Sequence, residues 1–133
     1  MLTIVIGKEF VGKKSYVAQQ LKLRYSENII FAVDNTGKLT HILEQQGLQV
    51  TQDIHKANII VSDNINELTE KDFVGKEQVF FILSGNNINK EIIEKAEQVI
   101  LFPVNDCEGV SEVLDIPVNY LQGLKYYEPI MVI

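Results

Sequence analysis

The chain has a single cysteine, no tryptophan, and fewer basic than acidic side chains among its 133 residues. One cysteine cannot form an intrachain disulfide, and a lone thiol is typical of the reducing cytoplasm. The 12 lysines and arginines against 18 aspartates and glutamates give a formal net charge of −6, whereas broad nucleic-acid binding needs a basic surface. No apolar run approaches the roughly 20 residues of a membrane-spanning helix, and the first residues lack the basic start of a signal peptide. The composition therefore predicts a cytoplasmic protein without membrane insertion and without nucleic acid as a partner.

Five short apolar runs are nearly continuous rather than alternating with polar residues. They span residues 2–6, 29–33, 59–61, 79–83 and 99–102. Strands covered on both faces have this pattern, and the segments between the runs carry apolar residues at helical spacing, as at Val17, Leu21 and Tyr25. Strands that alternate with helices form right-handed crossover units. The sequence therefore predicts a three-layer α/β fold in which a mostly parallel sheet of about five strands is flanked by helices.

The chain length and the ordinary hydrophobic content fit one domain, 1–133. The tail, residues 117–133, breaks the alternation of strands and helices. Residues 117–123 suit a loop or a short helix, whereas residues 126–133 suit either a last strand or a segment that docks on a partner. Of these two, we expect the strand, because apolar chain ends are usually packed against the protein.

A glycine-rich loop follows the first predicted strand and opens the first predicted helix. Its pattern is Gly7-x-x-x-x-Gly12-Lys13, which is the spacing and context of a phosphate-binding loop. Glycines let the backbone N–H groups converge on an anion, the helix start adds positive charge, and the lysine reaches the β and γ phosphates. We expect ATP or another nucleotide as the ligand of this loop.

The residue after the loop lysine departs from that pattern. A Ser or Thr hydroxyl normally holds Mg²⁺ there, but this chain has Lys14, and Ser15 comes one residue late. An ammonium has no lone pair and cannot ligate a metal. Unless Ser15 moves into place, the site loses Mg²⁺, and Lys14 adds charge to a metal-free phosphate site. Hydrolysis is then expected to be weak or absent, because Mg²⁺ neutralises charge on the transferred phosphoryl group.

The loop resembles the deviant phosphate loop of the MinD/ParA class of ATPases, written GKGGVGK[ST]. Gly7, Lys8, Val11, Gly12 and Lys13 match that motif position by position. The resemblance implies that Lys8 is the signature lysine, which in this class reaches across a nucleotide-sandwich dimer to the partner's phosphates. It also implies a protein partner or a homodimer.

Short stretches elsewhere extend the resemblance. Asp34 falls on the first aspartate of the class's V-D-x-D strand end, which works near the attacking water and the metal. Asp63 falls on the acid of the Walker B strand, and Pro103 and Asp106 fall on the I-P-x-D stretch that lies against adenine. Thr36 replaces the second acid of V-D-x-D, and Asn66 replaces the switch glycine after Asp63. With Lys14 in place of the metal-binding hydroxyl and about half the usual length, the chain looks like a shortened, degenerate member, a pseudo-ATPase.

Two functions stay open from the sequence. One is a degenerate MinD/ParA-like domain that binds a nucleotide and acts by partner recruitment or dimerisation. The other is a non-catalytic interaction module that keeps the fold but binds no nucleotide. Ser84-Gly85-Asn86-Asn87 follows the fourth predicted strand at the same sheet edge and suits a plain turn or a contact to a base or partner.

Overall fold

The computed structural model describes residues 1–34, 36–85, 88 and 90–133, and its contacts group into two compact units. The first unit contains Met1 and residues 14–81, and the second contains residues 2–13 and 82–133. Within these described residues, no helix is long and apolar enough to cross a membrane.

Seven strands of the described residues form one sheet in the order β3-β2-β4-β5-β1-β6-β7. The strands are β1 (Leu2–Ile6), β2 (Ile29–Val33), β3 (Gln49–Thr51), β4 (Ile59–Ser62), β5 (Gln78–Leu83), β6 (Gln98–Leu101) and β7 (Ile130–Met131). The recorded pairings are parallel, except that β7 runs antiparallel to β6. The predicted α/β fold with a mostly parallel sheet is therefore confirmed. The five predicted core strands are β1, β2, β4, β5 and β6. The sheet also contains β3, which was not predicted, and β7, which lies within residues 126–133, where a last strand was expected.

The part of the chain that the structure describes has six α-helices beside the sheet. They are α1 (Lys13–Tyr25), α2 (Lys38–Gln45), α3 (Glu70–Phe73), α4 (Lys90–Lys95), α5 (Cys107–Leu114) and α6 (Val118–Gln122). Two short 3-10 helices, Ile54–Lys56 and Ile65–Glu67, stand on either side of β4 in the chain. The tail therefore contains both a short helix and a short strand.

The first unit has its core along β2 and β4. Ile30 pairs in register with Ile59, and both are fully buried. The apolar stripe of α1 is buried through Val17 and Leu21, as its helical spacing predicts. Because parallel strands are covered on both faces, these strands contain almost no polar residues.

The second unit has its core along β1 and β6. Ile4 pairs with Val99 and Ile6 pairs with Leu101, and all four side chains are buried. The end of β1 opens into residues 7–12, and the end of β6 leads into Phe102, which is almost completely buried. The predicted phosphate-binding loop thus begins at the end of β1, and the residues after β6 contact it.

Candidate phosphate-binding site

The loop runs from Gly7, after β1, to Lys13, the first residue of α1. This confirms the predicted sequence of strand, loop and helix. Gly7 has no room for a side chain, since an added Cβ would lie 2.7 Å from the Cβ of Phe102. Gly12 and Phe10 take positive φ angles of 94° and 62°, and such angles are costly for a residue with a Cβ. The glycines therefore let the loop turn tightly against the core of the second unit.

Four hydrogen bonds anchor the beginning of the loop. The Gly7 N–H donates to the carbonyl of Leu83 at 3.0 Å, and the Lys8 N–H donates to the carbonyl of Pro103 at 2.8 Å. The ammonium of Lys13 folds back and donates to the carbonyl of Gly7 and, at 3.2 Å, to the carbonyl of Leu83. The Lys13 ammonium therefore lies inside the curve of the loop, next to the end of β5.

The middle of the loop presents backbone donors. Among the hydrogen bonds between described residues, none uses the N–H of Glu9, Phe10 or Gly12. Glu9 and Phe10 are exposed and Gly12 is partly buried, so these N–H groups are open to water or to a ligand. Several N–H groups in a tight turn form a concavity for an anion. These donors, with the Lys13 ammonium, give the loop the chemistry of an anion site.

The C-terminal turn, residues 125–128, packs against this loop. Glu128 forms a bridge with Lys125, and Tyr127 between them has a positive φ of 62°. The Tyr127 N–H donates to the carbonyl of Val11 at 3.2 Å. The tyrosine ring lies so close to Gly12 that an added Cβ there would meet its Cδ1 at 2.6 Å.

The other tyrosine of the turn, Tyr126, contacts Lys8. The Lys8 ammonium lies 4.8 Å from the centroid of the Tyr126 ring, within the range of a cation–π interaction. The rings of Tyr126 and Tyr127 meet edge to face, with centroids 6.4 Å apart. The sequence shows the aromatic pair but no periodicity or motif that links it to the loop, so its role could not be predicted.

The first unit contains Lys14, Ser15, Asp34 and Asp63. Lys14 is half-buried, and Ser15 is exposed on α1. The Asp34 carboxylate accepts hydrogen bonds from the Thr40 N–H at 2.8 Å and from the Thr36 N–H and hydroxyl, each at 3.3 Å. Asp34 therefore holds the chain that leads into α2, and its predicted catalytic role stays a prediction.

Several effects set the acidity of Asp34. Burial alone raises its pKa, but the hydrogen bonds from the Thr40 and Thr36 backbones, the Thr40 side chain and the charge of Lys14 together hold the pKa below its ordinary value. The carboxylate is thus kept ionised, with its negative charge balanced in part by Lys14.

Asp63 follows β4, as predicted, and its N–H donates to the carbonyl of Val33 at 3.2 Å. Its Oδ1 atom is buried. In the second unit, Pro103 is buried and its carbonyl holds the loop through Lys8, whereas Asp106 is exposed. The Asp106 carboxylate caps α5 by accepting the Gly109 N–H at 3.0 Å.

The structure thus groups the predicted site residues in two sets. Gly7, Lys8, Gly12, Lys13 and Pro103 come together in the second unit, and Lys14 and Asp34 come together in the first. Asp106 is engaged with its own helix. Of the polar turn after β5, Ser84 and Gly85 are described, and Asn86 and Asn87 lie outside the described residues.

The donor set at the expected metal position does not fit Mg²⁺. The residue that should offer a hydroxyl is Lys14, whose ammonium repels a cation, and the oxygens of Asp34 already accept hydrogen bonds from the backbone and a hydroxyl.

Comparisons with known proteins bear on the fold. No protein-family model matches the chain, and no curated protein matches it in sequence. The genome-packaging NTPase B204 from Sulfolobus turreted icosahedral virus 2, solved in complex with AMPPCP, is similar in structure, with a TM-score of 0.66 and 13% identity. Its complexes with AMP and with ATP-gammaS give TM-scores of 0.64 and 0.63, and each match covers 98% of this chain and 90% of that one. The chain therefore has the fold of a nucleoside triphosphatase.

Proposed function

We propose that the chain binds the phosphates of a nucleotide such as ATP in the loop of residues 7–13, without Mg²⁺ and with weak or no hydrolysis. The observation that carries this proposal is the loop between β1 and α1, in which the N–H groups of Glu9, Phe10 and Gly12 have no recorded acceptor among the described residues and the Lys13 ammonium folds back onto the carbonyl of Gly7. Support also comes from the fold, since the similar NTPase was solved with AMP, AMPPCP and ATP-gammaS.

We expect nucleotide binding to move the side chain of Lys13. Its ammonium donates to two backbone carbonyls, those of Gly7 and Leu83. Phosphate oxygens are charged acceptors, and hydrogen bonds between charged partners are roughly twice as strong as neutral ones. We therefore expect the ammonium to exchange at least one of these carbonyls for a phosphate oxygen.

Metal-free binding is consistent with Lys14. This residue supplies a fixed positive charge at the sequence position whose hydroxyl would otherwise hold Mg²⁺. Without the metal, charge on the transferring phosphoryl group is poorly neutralised, so the protein is expected to hold its nucleotide rather than consume it. Such a protein acts by recruiting a partner or by forming a homodimer.

The MinD/ParA resemblance adds a finer proposal about Lys8. In that class the signature lysine reaches a partner's phosphates, whereas here its ammonium lies over the ring of Tyr126 in its own chain. A role across a dimer would require Lys8 to leave this ring.

A thermal-stability titration tests the proposal. Wild-type protein is titrated with ATP and ADP, in EDTA and in Mg²⁺, beside a Lys13→Met variant and the control Lys22→Met at the exposed end of α1. A nucleotide at 100 times its Kd adds roughly 2.7 kcal/mol to the free energy of unfolding. We expect stabilisation of wild type and Lys22→Met in EDTA, and none of Lys13→Met. An unchanged melting temperature of wild type at millimolar nucleotide would reject nucleotide binding.

A second candidate function has its own support. The C-terminal turn of the chain already covers part of the loop, and Phe10 at the loop and Tyr127 in the turn are 79% and 71% exposed. Exposed aromatic side chains are common at protein interfaces. The alternative function is therefore an interaction module that binds no nucleotide. A thermal-stability titration in which ATP and ADP do not stabilise the wild-type protein would favour this alternative.

A further inference from the structure

The phosphate loop and the C-terminal turn, residues 125–128, are far apart in sequence but joined in the second unit. We infer that the C-terminal turn is part of the phosphate-binding element, with Tyr127 as a positioning residue that aims the Gly12 N–H at the anion and Tyr126 as the residue that stations Lys8. The identity of the anion as a nucleotide phosphate rests on the proposed function, whereas the orienting role of Tyr127 on Gly12 does not.

The geometry of one peptide group carries the inference. The carbonyl of Val11 and the N–H of Gly12 belong to the same peptide plane, and in a trans peptide these two groups point in opposite directions. The chain has no cis peptide bond among the described residues. The Tyr127 N–H donates a hydrogen bond to the Val11 carbonyl at 3.2 Å. Because the Val11 carbonyl points toward the C-terminal turn, the Gly12 N–H points away from it. On that side the Gly12 N–H has no recorded acceptor among the described residues.

The ring of Tyr127 fixes the same residue a second time. Gly12 has a φ of 94°, and an added Cβ there would lie only 2.6 Å from the Cδ1 atom of the Tyr127 ring. Glycine has the widest choice of backbone conformation, so a loop glycine without such a neighbour would sample several peptide orientations. We expect the backbone hydrogen bond and the ring together to restrict Gly12 to one of them.

Tyr126 acts on the other loop cation. Lys8 is held by its N–H on the Pro103 carbonyl and by its ammonium over the Tyr126 ring, 4.8 Å from the centroid. A lysine ammonium over an aromatic face keeps its charge while losing part of its rotamer freedom. Lys8 therefore remains at the loop as a fixed positive charge.

The turn is itself anchored close to the loop. The strand that follows it, β7, pairs with β6 through Ile130 and Leu101, and the Val132 N–H donates to the carbonyl of Val99 at 2.8 Å. The same strand β6 leads into Pro103, which holds Lys8. The residues after β6 therefore contact the loop at Lys8, and the turn before β7 contacts it at Val11 and Gly12.

Four variants separate the orienting role from general stability. Tyr127→Ala removes the ring against Gly12, and Tyr127→Phe keeps it, since no recorded contact among the described residues uses the Tyr127 hydroxyl. Tyr126→Leu removes the aromatic face but keeps an apolar side chain. Tyr120→Ala is the matched control, because Tyr120 is a C-terminal tyrosine of similar exposure, 53% against 50% for Tyr126, with no recorded contact to the loop within the described part of the chain.

The first readout needs no nucleotide. Backbone ¹⁵N relaxation of the free protein gives the order parameter of the Gly12 N–H, which is near 0.85 for rigid backbone and below about 0.6 for flexible backbone. We expect the rigid range in wild type, Tyr127→Phe and Tyr120→Ala, and a fall toward the flexible range in Tyr127→Ala. An order parameter in Tyr127→Ala equal to that of wild type overturns the inference, whether or not the protein binds a nucleotide.

The second readout is the affinity for ATP in EDTA, measured by calorimetry. We expect Tyr127→Ala to weaken binding about tenfold, which corresponds to about 1.4 kcal/mol, whereas Tyr127→Phe and Tyr120→Ala stay within about twofold of wild type. We expect a smaller loss, about threefold, for Tyr126→Leu. Wild-type affinity in both Tyr127→Ala and Tyr126→Leu would overturn the role of the turn in binding. If wild type itself does not bind, the proposed function fails and the relaxation measurement alone decides the inference.

Discussion

Removing the Asp34 carboxylate is expected to destabilise the first unit rather than to remove a catalytic group. The carboxylate accepts one short hydrogen bond, 2.8 Å from the Thr40 N–H, and two long ones, 3.3 Å from the Thr36 N–H and hydroxyl. Gly37 is the N-cap of α2, and the Asp34 carboxylate lies before it, but it satisfies the Thr40 N–H of the first turn as an N-cap side chain would. Losing such a bond by replacement with alanine costs about 0.5 to 2 kcal/mol. Because Asp34 is half-buried and accepts more than one bond, we place Asp34→Ala in the upper half of that range, about 1 to 2 kcal/mol.

The loss should appear as a lower melting temperature. In a chain of 133 residues, 1 kcal/mol corresponds to about 3 to 5 °C, so a loss of about 1 to 2 kcal/mol should make Asp34→Ala melt about 3 to 10 °C below wild type near pH 7. Asp34→Asn keeps one acceptor oxygen, so its melting temperature should lie between those of wild type and Asp34→Ala. Asp53→Ala is the control, since the exposed Asp53 carboxylate accepts a single recorded hydrogen bond, from the His55 N–H at 3.0 Å, and its loss should cost less.

The dependence on pH separates the charge from the shape of the side chain. Burial raises the pKa of Asp34, but the hydrogen bonds from Thr40 and Thr36 and the charge of Lys14 outweigh it and lower the folded-state pKa. A lowered pKa contributes stability above the unfolded-state value, about 3.9, and this contribution is lost as the pH falls through the folded-state pKa. The difference between wild type and Asp34→Asn should therefore be constant above about pH 5 and shrink in more acidic buffer. An unchanged melting temperature together with lost ATP binding would refute the capping role and favour a role toward the ligand.

Three further predictions concern the metal, the adenine stretch and the loop glycine. Lys14→Ser should restore a hydroxyl at the metal position, so that Mg²⁺ strengthens ATP binding in calorimetry; equal affinity in Mg²⁺ and EDTA would count against the account of Lys14. Asp106→Ala should cost about 1 kcal/mol in thermal unfolding by uncapping α5 and leave ATP affinity within about twofold, whereas a selective loss of affinity would support the predicted base contact. Gly7→Ala should cost about 1 to 3 kcal/mol in denaturant unfolding, because its Cβ would lie 2.7 Å from the Cβ of Phe102; wild-type stability would contradict this close packing.

Much of the fold could be predicted because continuous apolar runs are a strong signal. The five predicted runs became β1, β2, β4, β5 and β6, with ends shifted by at most one residue. The strand β3 was missed because it has only three residues, Gln49–Thr51, and two of them are polar. Such a strand is held by its pairing with β2, and a single sequence contains no trace of that pairing.

The candidate site could be predicted only where its residues are close in sequence. The spacing of Gly7, Gly12 and Lys13 is local, and the loop stands where that spacing places it. The contact of Tyr127 with Val11 and Gly12 joins residues more than a hundred positions apart, so no window of sequence contains both partners. The engagement of Asp34 by Thr36 and Thr40 was hidden for another reason. A strand that ends in aspartate fits a catalytic acid and a helix cap equally well.

An ATP titration of ¹⁵N-labelled protein in EDTA, followed by backbone amide NMR, tests the central claim most directly. The loop N–H groups of Glu9, Phe10 and Gly12 have no recorded acceptor among the described residues. If they receive the phosphates, their resonances should shift in a saturable way at micromolar to millimolar ATP, and the shifts should vanish in Lys13→Met. Resonances that stay in place at millimolar ATP, or that move only outside residues 7–13, would contradict phosphate binding by this loop.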